Sequence, residues 1–390
     1  MPSRPASFYT MTPHTTFRTV FFAVVIKLEN KEIEQVISKA YQSNAAFFDT
    51  AERYGSHIKT ALGLGYGETE KLTSKLLSRV VQQAQQQSED DDTSFLSPVV
   101  ATKFTPTPWR TSIQSVVNAC EQSKQNLNVE QIDLYQIHMP DIVQPFKFLT
   151  QHDKREQLFK DKLYWDGVAE CYNMGLIKNV GVCNYGPTLL EQCQEHLAKR
   201  GVPLVSNQIG YSLLGRQNGA QETLDKGTEL GIKTLAFYPF AMGLLTGKYT
   251  TKNSNCNIMK DLSLSTMKKS PLELRDLERY ANGDGGLTIP DGGIAPLIHT
   301  MEVIAANHGK TVAQVALNYI ICKGAIPIPG SRTVAQLEDN LGAMGWRLSD
   351  TEIAMLELEA DKLGFAFDGA GFKRTNEKFV GYGVEKFALT

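Results

Sequence analysis

IDLYQIH, residues 132–138, is a short, mainly apolar run that stops on an imidazole. Seven residues suit a strand better than a helix. The same plan recurs along the chain. AAFFD (45–49) ends on a carboxylate, VVATK (99–103) on an ammonium and VGVCN (180–184) on an amide. LVSNQ (204–208), IKTLAFY (232–238) and AIPIP (325–329) follow it too. Between these runs lie segments with apolar residues at helical spacing, such as Ile113, Val116, Val117 and Cys120, or Val312, Val315, Ala316 and Tyr319. Strands alternating with helices predict a parallel sheet with helical crossovers.

Such a sheet is expected to close as an α/β fold, a (β/α)8 TIM barrel. Its polar strand-end residues then gather at the carboxyl face, where barrels of this kind carry their active sites. Seven strands read clearly. The first must come from residues 19–27 (TVFFAVVIK), ahead of a helix over 31–41, unless another segment closes the barrel. Ser349, with Glu352 three residues on, opens one more helix over 349–363, docked outside the barrel. The polar stretch 82–93 (QQAQQQSEDDDT) reads as a solvated helix end and loop, and 241–290 as a long insertion after the seventh strand. The domain division is a tail over 1–28, the barrel over 29–363 and a C-terminal tail over 364–390. Aromatic residues of that last tail can cover the barrel mouth.

With 40 Lys plus Arg against 42 Asp plus Glu, the net charge is −2. No strong field favours nucleic acid or an anionic membrane. The apolar run 20–26 is far shorter than the roughly 20 residues that span a bilayer. Six scattered cysteines form no CxxC pair, and no His sits at metal-ligand spacing, so free thiols and no metal site are expected. The first 28 residues lack Asp and Glu but contain Arg4, Arg18, Lys27 and seven Ser or Thr. That composition suits an organellar transit peptide and equally a short disordered tail, leaving a soluble protein in a plastid or in the cytoplasm. No signal for an oligomeric state is visible.

FFDTAERYG (47–55), VVATKF (99–104), DLYQIH (133–138), GLIKNVGVCNYG (175–186) and SNQIGYS (206–212) together resemble the aldo-keto reductases. AFYPFAMGLLTGKY (236–249) and IPIPGSRTVAQLEDNLGAMGWRL (326–348) extend the resemblance. These two are most similar to the subgroup that includes plant and cyanobacterial pyridoxal reductase-like enzymes and potassium-channel β subunits. The family's Gly-Thr-Trp-like opening strand has no counterpart here.

Carbonyl reduction needs a proton donor beside the developing alkoxide. A tyrosine, with an ordinary pKa near 10, holds such a proton at neutral pH, and a nearby ammonium stabilises the phenolate it leaves. Tyr54, Lys103 and Asp49 are available for donor, cation and counter-ion, with His138 to orient the carbonyl. The resemblance makes these four the family's catalytic tetrad.

The chain has no GxGxxG for a dinucleotide. Instead Gly330, Ser331 and Arg332 precede a helix opening at about Thr333, a helix N-terminus suited to phosphate, with an arginine fork for a 2′-phosphate. Asn184 and Gln208 are amide partners for a nicotinamide carboxamide, and Tyr238 can stack on its ring. The resemblance adds Lys248 over the pyrophosphate, with Gln336 and Asn340 at the adenosine end. NADPH is therefore the expected cofactor, with Asp339 beside the site as a carboxylate that would oppose a 2′-phosphate. Cys183 stands where the family usually has Ser, a weaker donor. The implied activity is reduction of an aldehyde or ketone, vitamin B6 aldehyde among them. A channel-β-like NADP(H)-binding redox sensor and a cofactor-binding remnant without turnover remain alternatives.

Overall fold

The computed structural model describes residues 23–25, 32–43, 45–54, 66–87, 97–141, 154–217, 219–248, 294–363, 365–367 and 372–374. Eight parallel strands follow one another in sequence order around the sheet: β1 (Ala23–Val25), β2 (Phe47–Asp49), β3 (Val99–Phe104), β4 (Leu134–Ile137), β5 (Val180–Cys183), β6 (Leu204–Gly210), β7 (Lys233–Phe237) and β8 (Ile326–Pro327). The sheet is that of a (β/α)8 barrel, as the alternation predicts.

The first strand does come from the N-terminal run: Ala23, Val24 and Val25 pair with Phe47, Phe48 and Asp49. This corrects the boundary drawn after residue 28, because residues 23–25 belong to the barrel sheet. The transit-peptide reading of residues 1–22, most of the insertion (249–293) and the acidic stretch 88–93 lie outside the described residues. Within the C-terminal tail, β9 (Phe365–Phe367) and β10 (Phe372–Arg374) form a separate antiparallel pair. The suggested aromatic cover over the mouth lies outside the described side chains.

Helices pack on the outside. The first, α1 (Ile33–Gln42), buries Ile33, Val36, Ile37, Ala40 and Tyr41, the stripe of an amphipathic helix. Next come α2 (Glu68–Gln87), α3 (Ile113–Leu127), α4 (Lys154–Asn173), α5 (Pro187–Ala198) and α6 (Ala220–Glu229), then α7 (Ala295–His308), α8 (Val312–Cys322), α9 (Val334–Leu341) and α10 (Asp350–Asp361). Capping boxes start α3 (Ser112 with Ser115), α8 (Thr311 with Gln314) and α10 (Ser349 with Glu352). As expected, α10 lies outside the barrel, packed on α7.

The two faces of each strand meet different partners. Phe48, Val100, Tyr135 and Val182 face the helices. Phe47, Ala101, Leu134, Leu235 and Ile326 face inward and fill the barrel with one apolar cluster. Two residues further along the strands, on that same inner face, come Asp49, Lys103 and Gln136. Strand β6 needs a correction to this phase. Its pairing with β5 skips Val205, going from Val180↔Leu204 to Gly181↔Ser206. Val205 belongs to the inner cluster and Ile209, four residues on, to the outer one. The bulge thus turns Gln208 inward, where a regular strand would have turned Asn207.

Helices α3 and α4 pack against each other with Gly167 facing Val116. A Cβ added there would lie 2.5 Å from Val116 Cβ. Gly167→Ala is therefore expected to lower unfolding stability by about 1–3 kcal/mol, read as a lower urea midpoint by circular dichroism.

Candidate active site

Asp49 closes β2 and Lys103 lies one residue before the end of β3; both are completely buried. Lys103 Nζ donates to Asp49 Oδ2 at 2.5 Å, to the Thr50 carbonyl at 2.8 Å and to Tyr54 Oη at 3.2 Å. Asp49 Oδ1 accepts from Gln136 Nε2 at 3.2 Å and from Gln208 Nε2 at 3.3 Å. The carboxylate is thus held on both oxygens, and the ammonium has three acceptors. A buried ion pair persists only when its remaining donors and acceptors are satisfied in this way.

Tyr54 sits five residues past Asp49, on the turn that follows β2. Its N–H donates to the Ala51 carbonyl, and its own carbonyl accepts from Thr69 Oγ1 at 2.7 Å. The ring meets His138 edge to face, centroids 5.8 Å apart. Asp49, Tyr54, Lys103 and His138 are thereby gathered at the carboxyl ends of three neighbouring strands. Burial pushes the Tyr54 phenol up to about 12; Lys103 opposes that shift and Asp49 adds to it. Lys103 titrates above its ordinary range: burial disfavours the ammonium, but Asp49, with help from Tyr54 and Cys183, outweighs that penalty.

The predicted cofactor residues fall into two groups. Asn184 and Gln208 are adjacent at the ends of β5 and β6, where Asn184 N–H donates to the Gln208 carbonyl at 2.9 Å. Both side-chain amides are already used as donors, Asn184 Nδ2 to the His138 carbonyl at 3.0 Å and Gln208 Nε2 to Asp49. Asn184 Oδ1 is buried without a protein partner, an orphaned acceptor that fits a carboxamide N–H. Asn184 and Tyr238 each leave their strand with a left-handed backbone, φ 62° and 54°. For a bulky tyrosine this costs about 1–3 kcal/mol, and strain of this kind gathers at ligand sites.

The second group surrounds the start of α9. Thr333 caps the helix, Arg332 N–H donates to Gln336 Oε1 at 2.8 Å, and Asn340 Nδ2 donates to Ser331 Oγ at 3.0 Å. Gln336 and Asn340, expected at the adenosine end, are here braces of the turn formed by Gly330, Ser331 and Arg332. A Cβ on Gly330 would meet nothing within 4 Å, so the turn presents open backbone. Arg332 is exposed, and Lys248 is exposed past the 3-10 turn Ala241–Thr246. Asp339 turns elsewhere: its Oδ1 accepts from Thr311 Oγ1 at 2.8 Å and Gln314 Nε2 at 3.1 Å, at the N-terminus of α8. The carboxylate expected to oppose a 2′-phosphate is bound into the helix layer.

Cys183 points into the barrel and donates to Gln136 Oε1 at 3.7 Å; burial raises its thiol well out of the reactive range. Gln136 itself was missed in the sequence. Its signal is a lone amide on the inner face of an otherwise apolar strand, two residues before His138.

The sequence profile of the aldo/keto reductase family matches residues 26–359. A chloroplastic pyridoxal reductase of Arabidopsis thaliana is 33% identical over 329 residues, 84% of this chain and 76% of that protein. The chain belongs to the aldo/keto reductase family. Within it, the pyridoxal reductase-like group is the one the relatives support, and the family makes the chain an oxidoreductase. An uncharacterised oxidoreductase of Mycobacterium bovis is 30% identical over 80% of the chain and 77% of its own length. Two solved structures share the fold of this aldo-keto reductase. An aldo-keto reductase of Bombyx mori in complex with NADP has a TM-score of 0.58 at 19% identity, covering 87% of this chain and 88% of that one. The aldose reductase of Schistosoma japonicum has a TM-score of 0.57 at 18% identity, with the same coverage.

Two consequences can be measured. Asp49→Ala leaves the Lys103 ammonium buried without its counter-ion and is expected to cost about 3–5 kcal/mol in denaturant unfolding. The raised Tyr54 pKa gives stability that is present below pH 10 and lost as pH rises toward about 12. Tyr54→Phe should therefore lose less stability than wild type over that range, by on the order of 2 kcal/mol, in urea titrations at pH 9 and 12.

Proposed function

We propose that this protein reduces an aldehyde or ketone to an alcohol with NADPH, using Asp49, Tyr54, Lys103 and His138. One observation carries the reading: a completely buried ammonium that hydrogen-bonds a counter-ion on one side and a phenol on the other. The reduced nicotinamide, when bound, supplies the hydride. The protein supplies the proton, from Tyr54 Oη. Burial keeps the phenol protonated at neutral pH, so the proton is present when the alkoxide develops. Lys103, 3.2 Å from the same oxygen, then faces the phenolate left behind. Asp49 holds Lys103 in place and His138 orients the carbonyl oxygen.

Asn184 and Gln208 would bind the carboxamide, Tyr238 would lie against the nicotinamide ring, and Gly330, Ser331 and Arg332 would take the phosphates at the α9 N-terminus. Gln336 and Asn340 would act there by shaping that turn, with Lys248 over the pyrophosphate. Two features favour NADPH over NADH: the exposed Arg332 fork, and the diversion of Asp339 toward Thr311 and Gln314. Vitamin B6 aldehyde is the favoured substrate, on the likeness to the plant pyridoxal reductase. The same likeness and the acid-free N-terminus favour a plastid, with any cleavage falling before Ala23, where the barrel sheet begins. Among the described residues no helix is long and apolar enough to cross a membrane.

The test is NADPH titration by fluorescence, followed by absorbance loss at the nicotinamide band with a panel of aldehydes that includes pyridoxal. Turnover should fall about 10²–10⁴-fold in Tyr54→Phe while NADPH affinity is kept. Arg332→Ala should weaken NADPH roughly tenfold, the worth of one charge-assisted phosphate contact, and leave NADH unchanged. Tight NADPH binding with no turnover of any aldehyde would replace this reading with a redox-sensing module.

A further inference from the structure

The strength of the Lys103–Tyr54 contact depends on two separate chain segments meeting at the right distance. Tyr54 is on the turn after β2, and Lys103 is near the end of β3. One carboxylate joins the two segments. Glu52, two residues before Tyr54 and only 4% exposed, accepts from the Thr105 N–H at 2.5 Å, two residues after Lys103. Arg110 grips the same carboxylate with both nitrogens, Nη1 to Oε1 at 2.5 Å and Nη2 to Oε2 at 3.0 Å, and donates from Nη1 to the Thr105 carbonyl at 2.9 Å. Its guanidinium lies over the rings of Phe104 and Tyr66, at 4.8 and 5.5 Å from their centroids. The backbone on either side is secured as well: Gly67 N–H donates to the Glu52 carbonyl at 2.7 Å. The Tyr164 hydroxyl lies 3.3 Å from the Arg110 carbonyl and 3.1 Å from Asp141 Oδ1, three residues past His138. A chain of polar contacts thus links the segments that follow β2, β3 and β4, close in sequence to Tyr54, Lys103 and His138.

We propose that Glu52 and Arg110 are positioning residues, a clamp that sets the separation of Tyr54 from Lys103 by tying the turn after β2 to the backbone after β3. The proposal rests on the reductase reading for its effect on turnover, and on geometry alone for its effect on Tyr54. A bidentate Arg–carboxylate pair fixes both distance and plane, which a lysine cannot do. A displacement near 1 Å of a reacting group costs up to about a hundredfold in rate.

The test uses the full-length protein labelled with 3-fluorotyrosine, the Tyr54 fluorine signal being identified by its loss in Tyr54→Phe. In Arg110→Lys and Glu52→Gln the Tyr54 signal should shift and broaden. The kcat should fall about tenfold to a hundredfold, with the KM for the aldehyde and the fluorescence Kd for NADPH within about twofold. If a single variant fails to fold because it leaves a buried charge unpaired, Glu52→Leu/Arg110→Met removes both charges and should give the same signature. A Tyr54 signal unmoved in the folded variants overturns the clamp, whatever kcat does, since a merely structural pair would lower stability without moving it. Were wild type inert toward every aldehyde, the reductase reading would fall while the fluorine signal still decided the clamp.

Discussion

Everything at the mouth of this barrel depends on the buried ion pair of Lys103 and Asp49. Removing both charges from water is costly, and their attraction offsets that cost only in a geometry where no other lone pair or proton is stranded. That requirement organises the surroundings. Gln136 and Gln208 take the second carboxylate oxygen, and the Thr50 carbonyl and Tyr54 hydroxyl take the remaining protons of the ammonium. The polar layer exists because β2, β3, β4 and β6 each present one such residue to the barrel interior. Below it the interior is apolar, with Phe47, Ala101 and Leu134 one inward position earlier on their strands.

The proposed chemistry rests on the same pair. An ammonium held this firmly would not need to reorganise for the phenol beside it to give up a proton, and a site that needs no reorganisation stabilises charge better than water does. The phenol is placed by the turn after β2 and the ammonium by β3, so the 3.2 Å between them is a property of one turn and one strand. Strain is concentrated nearby: Asn184 and Tyr238 both turn out of their strands through left-handed backbone. A chain avoids such conformations unless its surroundings impose them, and both residues are among those proposed to hold the nicotinamide.

The helix that follows β8 shows how a polar turn can be prepared for a ligand by its own side chains. Gln336 and Asn340 each reach back to the segment before the helix, one to the Arg332 N–H and one to Ser331 Oγ. Asp339, between them in sequence, points to the neighbouring helix because residues on successive helical positions face different directions. Proximity in sequence placed Asp339 next to the proposed phosphate site; the helical phase turns its carboxylate to Thr311 and Gln314 instead.

Strand endings, helical spacing and capping residues were legible in the sequence because each is a local property: the runs ending at Asp49, Lys103, His138 and Asn184 needed only residue order to be read, and so did the Ser349 cap. Asp49, Lys103 and His138 stood at such ends, whereas Tyr54 and the roles proposed for all four came from the resemblance to the aldo-keto reductases; the structure brings the four together. The first strand was read within residues 19–27 by elimination, and pairing with β2 places it at Ala23–Val25. Two things could not be read. The inward turn of Gln208 depends on a bulge created by mismatch with β5, which a strand considered alone does not contain. The contacts of Gln136 with Asp49 and of Glu52 with Thr105 and Arg110 join residues 53 to 87 positions apart, and distance along the chain carries no information about them. The sequence by itself determined which elements form and which chemical groups stand at their ends. Only the tertiary structure decided which of those groups touch, because hydrogen bonds and buried charges are satisfied in three dimensions and by partners that no local pattern specifies.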